Sequence, residues 1–268
     1  MKLSDITHGI VERPARIILC GVSKIGKSTW AAGAPAPIFL PVRGEEGGDA
    51  LDVARFPVAE KLSDVMDSLE TLATEDHKFE TVVIDSTSTL EPLVWEAVCA
   101  TGGKDGDAVA NIEKVGGGFG KGYVEAVKYW RDLMAALDYL RNEKGMGSIL
   151  IAHVAVKTFS DPGGDNYDAW EMDINKKALS SLERWSDVIL FANCKTYTKI
   201  ADAGSKVSTS EKSPKIRKGV MRDERVLFTQ KRPHHPGGGR GIWGRLPYEL
   251  ELSYEAWDQA VKTATKGE

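Results

Sequence analysis

Residues 21–30 read GVSKIGKSTW. No other run constrains the fold as strongly, because it contains Gly21-x-x-x-x-Gly26-Lys27-Ser28. By residue frequencies alone this spacing arises in only about 1 in 30 chains of this length, so its flanks must decide whether it has meaning. Before it, ARIILC (15–20) is a short apolar run closed by glycine, the pattern of a buried strand. After it, KSTWAAG reads as a short helix ended by Gly33. Strand, glycine loop and helix in that order form a phosphate cradle. Glycines let the backbone bend so that N–H groups around residues 23–28 face one phosphate. The helix N-terminus adds positive potential. Lys27 supplies a point charge to β- and γ-phosphates, and the Ser28 hydroxyl ligates the accompanying Mg²⁺. Gly21, Ser23, Lys24, Ile25, Gly26, Lys27, Ser28 and Thr29 are therefore the expected nucleotide-binding set. ATP and Mg²⁺ are the expected cofactors, with Thr29 reaching the α-phosphate.

The same strand–helix alternation continues downstream. Strands are expected at 37–42, 80–85, 148–154 and 186–193, and helices at 60–75, 89–100 and 123–144. Residues 101–122 hold eight glycines and read as a long mobile loop; 157–173 read as a second irregular stretch. A basic hairpin (about 194–232), a glycine turn at 237–241, a strand-like run to 252 and a helix from Tyr254 complete the chain. Continuous apolar strands alternating with helices predict an α/β fold, a mostly parallel twisted sheet flanked by helices. Ligands in such sheets bind at the carboxyl ends of the strands, where the loops after 20, 42, 85 and 154 should meet. The expected organisation is a single domain over 1–268. It comprises an arm at 1–13, a nucleotide-binding core at 14–193, a basic hairpin and sheet extension at 194–252, and a helix at 253–268.

Three of those strand ends carry chemistry. Val82-Val83-Ile84-Asp85-Ser86 ends a strand in an acid, 58 residues after Lys27, where Asp85 joins Ser28 as a metal-site residue. Gly44-Glu45-Glu46-Gly47-Gly48 offers two carboxylates, one of which would orient and polarise the attacking water. His153 ends ILIAHV, where it can touch the γ-phosphate or serve as a hydrogen-bonded core histidine. His234-His235, between prolines and without a third ligand nearby, reads as a turn rather than a metal site. Trp30 reads as core packing.

The net charge is −4, which argues against a surface that coats nucleic acid throughout. Lys195–Arg232 nevertheless carries a surplus of seven positive charges, so the remainder carries eleven negative ones. A basic segment on an acidic body suits a polyanion partner, or equally a solvated hairpin. Three cysteines, Cys20, Cys99 and Cys194, form no framework and fit a reducing compartment. MKLSDITHGI has no apolar signal core, and no run approaches the ~18 apolar residues of a membrane span.

The order GVSKIGKST, FLPVRGEEGGDAL, TVVIDSTSTL, GSILIAHVAVK resembles the RecA-like P-loop ATPases over about residues 13–232. The stretches GFGKGYVEAVKYW, the SDP-containing loop after AHVAVK, and WSDVILF look like the phage-encoded short RecA-core proteins of the Sak single-strand-annealing group. That resemblance implies Glu46 as the catalytic carboxylate with Glu45 in reserve, beside Lys27. It implies His153 as the γ-phosphate sensor, where the recombinases usually have Gln. It also makes the two irregular stretches DNA loops: Lys114, Lys121 and Tyr123 in the first, Lys157, Phe159, Tyr167 and Trp170 in the second. Cations and aromatic faces suit single strands, although Asp161, Asp165 and Asp168 oppose them. Such ATPases usually complete one site with a neighbour's cation, here Lys231 and Arg232, or else Arg217 and Lys218. The implied partners are single-stranded DNA, further copies of the chain in a ring or filament, and a single-strand-binding protein, in the bacterial cytoplasm and away from membranes.

Three functions follow from these readings. The first is a DNA-stimulated ATPase promoting annealing or strand exchange. The second is a helicase or motor on the same core, and the third an assembly protein switched by ATP without a DNA role. Small-molecule kinases usually carry an arginine-rich lid, and 101–122 contains no arginine.

Overall fold

The computed structural model describes residues 8–9, 12–45, 47–161, 163–201 and 216–266, and all of their side chains except those of 196–201 and 216–223. Strand β1 (Arg16–Gly21) leads into helix α1 (Lys27–Ala32), then β2 (Pro37–Pro41), β3 (Ala54–Arg55) and α2 (Leu62–Thr74). Next come β4 (Thr81–Asp85), α3 (Thr87–Cys99), a 3-10 turn at Ile112–Gly117, and α4 (Lys121–Glu143). They are followed by β5 (Gly147–Phe159), β6 (Tyr167–Met172), α5 (Lys176–Trp185), β7 (Val188–Ala201) and β8 (Ile216–Phe228). Strand β9 (Gly238–Gly239), a 3-10 turn at Gly241–Arg245, β10 (Glu249–Glu251) and α6 (Tyr254–Lys266) end the fold.

The sheet runs β10-β8-β7-β1-β5-β4-β2-β3. Pairings from β7 through β3 are parallel; β8 and β10 add an antiparallel edge. This is the α/β architecture of a P-loop NTPase core, with β5 lying between the phosphate-loop strand β1 and the acid-bearing strand β4. Period-two alternation assigns the two faces. Ile18, Cys20, Leu40, Ile84 and Leu150 pack under α2 to α5, with Leu69, Leu93, Trp130 and Leu182 among the facing residues. Ile17, Leu19, Phe39, Val83 and Ile151 face the other way, onto Trp30 of α1 and Trp257 of α6. Both faces are covered, so these strands carry continuous apolar runs.

Two expectations need correction. Residues 157–173 are not irregular throughout: β5 continues to Phe159 and pairs antiparallel with β6, from Val154↔Met172 to Phe159↔Tyr167. Alternation there is masked by the acids at 161, 165 and 168. Helix α5 went unread because KKALSSLERW presents little apolar surface, chiefly Ala178 and Leu182 one turn apart. Within 101–122, Ile112 and Val115 are 6% and 3% exposed, so the middle of this glycine-rich stretch is anchored in the core. Among the described residues no helix is long and apolar enough to cross a membrane.

Candidate nucleotide site

The loop from Gly21 to Gly26 turns because Lys24 and Gly26 take left-handed φ values of 61° and 111°. That hands the chain to α1 with its first amides free of intrahelical partners. Lys27, 6% exposed, donates from Nζ to the carbonyls of Gly21 and Val22, both at 3.0 Å. Burial lowers its pKa, opposed by the charges of Asp85 and Glu45. Ser28 Oγ donates to Asp85 Oδ2 at 2.6 Å. Asp85 is 4% exposed, and burial raises its pKa despite the Ser28 hydrogen bond and the nearby Lys27 charge. A hydroxyl and a carboxylate oxygen placed together at the start of the helix are hard donors of the kind Mg²⁺ takes. The residues present therefore fit the metal, with Ser28 and Asp85 as the groups that would hold it. The Asp85–Ser86 peptide is cis.

Beside this pair stands a second cluster. Glu45 Oε1 accepts from Ser86 Oγ at 2.7 Å and lies 2.7 Å from His153 Nε2. Burial alone would raise the Glu45 pKa, but hydrogen bonds from His153 and Ser86, with the Lys27 charge, hold it below the ordinary range. His153 is fixed by its backbone, which donates to Ser88 Oγ at 2.9 Å and pairs in register with Gly21. Its Nδ1 is buried without a hydrogen-bond partner. Glu46 lies outside the described residues; it is Glu45, the reserve, that the structure brings to Ser86 and His153. Sequence alone did not separate two adjacent glutamates in a glycine turn.

The remaining candidates fall into two places. Phe159 and Tyr167 pack across the β5–β6 hairpin with their planes tilted, ring centroids 5.3 Å apart. With Trp170 they line a cleft of about 660 Å³ that also includes Lys231 and Arg232. Arg232 lies over the Tyr248 ring, 4.4 Å from its centroid. Lys157 reaches Glu171 at 3.9 Å. On the other stretch, Lys121 Nζ donates to the Gly116 carbonyl, and Tyr123 packs edge-on against Trp95, centroids 5.6 Å apart. Lys114 is exposed. The free aromatic there is Phe119, fully exposed and missed in the sequence among its glycines. Arg217 and Lys218 have side chains outside the described set. His234 and His235 sit in a turn; His235 stacks on Phe191 and Phe228 and meets the Tyr248 hydroxyl at 2.9 Å. Trp30 is core, packed on Tyr254 and Trp257.

Comparison with protein families finds that the model described as AAA domain matches residues 13–241. Comparison with curated proteins finds no match.

Proposed function

The chain belongs to the AAA domain family, and with it to the P-loop ATPases; from that premise we propose a DNA-stimulated ATPase that binds single strands and promotes annealing or strand exchange as an oligomer. The observation that carries the reading is the continuity of β5. His153 stands at the nucleotide site, and Phe159, six residues on along the same strand, stands at the hairpin with Tyr167 and Trp170. In this reading a change in the hydrogen bonds of His153 reaches the hairpin along one continuous strand.

In this reading Lys27 and the amides of the loop bind and neutralise the phosphates. Mg²⁺, when bound by Ser28 and Asp85, supplies further charge neutralisation. Glu45 orients the attacking water and draws its proton. His153 and Ser86 position that carboxylate and keep it ionised. The aromatic rings of the hairpin offer stacking faces to bases, and Lys231 and Arg232 offer cations to the strand or to a neighbouring protomer's site.

The test is ATP hydrolysis with and without single-stranded DNA, beside a Lys27→Ala control. Stimulation by single strands is expected. Turnover indifferent to nucleic acid, with ATP-dependent oligomers, would replace this reading with an assembly protein; strand separation on duplex would replace it with a motor. Glu45→Gln is expected to bind ATP and turn over at least about a hundredfold more slowly. If Glu46→Gln alone has that effect, the catalytic role belongs to Glu46.

A further inference from the structure

We propose that Thr87 and Ser88 are positioning residues for hydrolysis: their hydroxyls continue the sheet where β4 stops and thereby hold His153 against Glu45. The pairing of β4 with β5 ends at Ile84↔Leu150. After Asp85 the chain turns into α3, so β4 does not extend alongside Ile151 and His153. Successive residues of a strand turn their N–H and C=O groups to opposite edges, so Ile151 and His153 address the same edge, the one β4 has left. Two hydroxyls meet them there. Thr87 Oγ1 donates to the Ile151 carbonyl at 2.9 Å, and Ser88 Oγ accepts from the His153 N–H at 2.9 Å. Beyond that point β6 takes over, beginning with the Asp173 N–H on the His153 carbonyl at 2.9 Å.

The residue types are what this edge requires. A carbonyl needs a donor and an N–H needs an acceptor, and a hydroxyl serves as either. Thr87 is 1% exposed, so its hydroxyl stands where the Ile151 carbonyl would otherwise be buried unpaired. The same turn of α3 supplies Glu45 with its other partner. Ser86, fully buried, donates to Glu45 Oε1 at 2.7 Å, the oxygen that lies 2.7 Å from His153 Nε2. Thr89 closes the turn: its Oγ1 accepts from the Ser86 N–H at 3.4 Å, and its N–H donates to Ser86 Oγ at 3.3 Å. One helical turn therefore fixes both sides of the Glu45 carboxylate, Ser86 by touching it and Ser88 through His153. On the opposite edge β1 pairs with β5 as far as Gly21↔His153, so the strand is held at this height from both sides. Releasing one side lets Nε2 leave the carboxylate, and a displacement of about 1 Å at a catalytic group costs on the order of a hundredfold in rate.

The inference rests on the roles given to Glu45 and His153 above, and the experiment separates the two. Steady-state ATP turnover, ADP affinity and thermal unfolding are measured for the wild-type chain, Ser88→Ala, Ser88→Thr, Thr87→Val, His153→Ala, and His153→Ala combined with each of Ser88→Ala and Thr87→Val. Ser88→Ala and Thr87→Val are expected to lower kcat about tenfold, with KM and ADP affinity within about twofold of wild type, because the phosphate loop is untouched. Ser88→Thr keeps the hydroxyl and should restore most of the turnover. In the His153→Ala background Ser88→Ala should cost less than about twofold more, since it acts through that ring. Wild-type kcat in Ser88→Ala overturns the inference alone, as does a tenfold penalty that persists without the His153 side chain. A loss of ADP affinity as large as the loss of turnover places the damage in the phosphate loop and overturns it too. Should Ser88→Ala fail to fold, Thr87→Val and its combination with His153→Ala are read by the same criteria. Wild-type turnover in His153→Ala removes the role proposed for His153 and this inference with it. Wild-type protein that does not hydrolyse ATP overturns the proposed function itself.

Discussion

Glu91 shows how one buried side chain sets a pH dependence. It lies in α3 at 6% exposure, and both carboxylate oxygens accept from the backbone N–H of Asn175, at 2.9 and 3.0 Å. Burial, reinforced by the charge of Asp173, raises its pKa to about 7 against those hydrogen bonds. The folded chain therefore holds a proton that the unfolded chain has released once pH exceeds about 4.5. Stability should fall as pH rises from there to about 7 and then level off. The effect is on the order of 3 kcal/mol at 1.36 kcal/mol per pKa unit. Urea unfolding of Glu91→Gln across pH 4.5–8 should show that slope removed. None of this is legible in TSTLEPLVWEA, where Glu91 reads as one more surface acid; its partner, the Asn175 amide, lies 84 residues away in the connection between β6 and α5. The same holds for Glu45 against Glu46. The turn announced a carboxylate, while its partners Ser86 and His153 lie 41 and 108 residues away.

At the scale of elements, local pattern was enough where a strand or helix buries a full face. The strands β1, β2, β4 and the helices α2 and α4 fall within a residue or two of their sequence expectation. It was not enough for the β5–β6 hairpin, whose rings are partly exposed and whose pairing is the main evidence of its form. If the hairpin binds single strands, Phe159→Ala should cost about 1–3 kcal/mol of DNA affinity by losing a stacking face. Lys157→Ala, already facing Glu171, should cost less. Fluorescence anisotropy with a labelled oligonucleotide compares the two. A further element-level prediction concerns α6. A Cβ on Gly33, which caps α1, would stand 2.7 Å from Tyr254 Cβ, closer than the packing permits. Gly33→Ala should displace the start of α6 and cost about 1–3 kcal/mol. Because Trp30 touches both Tyr254 and Trp257, a change in tryptophan emission should report it.

At the scale of the whole molecule, one ionic cluster ties the sheet to its helices. Arg16 of β1 reaches Asp187, before β7, at 2.8 Å and Asp138 of α4 at 3.0 Å; Arg141 of α4 reaches the same Asp187 at 3.0 Å. Trp185 of α5 donates to Asp138 and lies under the Arg16 guanidinium. Burial would raise the Asp187 pKa, but the hydrogen bonds from Arg16 and the charge of Arg141 win and depress it. Its contribution is therefore present at neutral pH and lost as pH falls through that depressed value. Asp187→Asn should cost about 3 kcal/mol at pH 7, because two mostly buried guanidiniums lose their shared anion. The deficit should shrink in acid, as thermal unfolding at pH 3 and pH 7 would show.

The sequence by itself determined the phosphate loop, the acid Asp85 that ends the strand beside it and the order of strands and helices along the chain. Those features are local: a glycine where the backbone must turn, an apolar run where a strand is buried, an acid at a strand's end. Tertiary structure alone decided that Glu45 meets His153 and that Lys231 and Arg232 share a cleft with the hairpin rings. Each depends on the lateral order of strands, β7 and β8 on one side of β1 and β5 on the other. That order is set by which faces cover which across the whole core, and no single stretch of the chain encodes it.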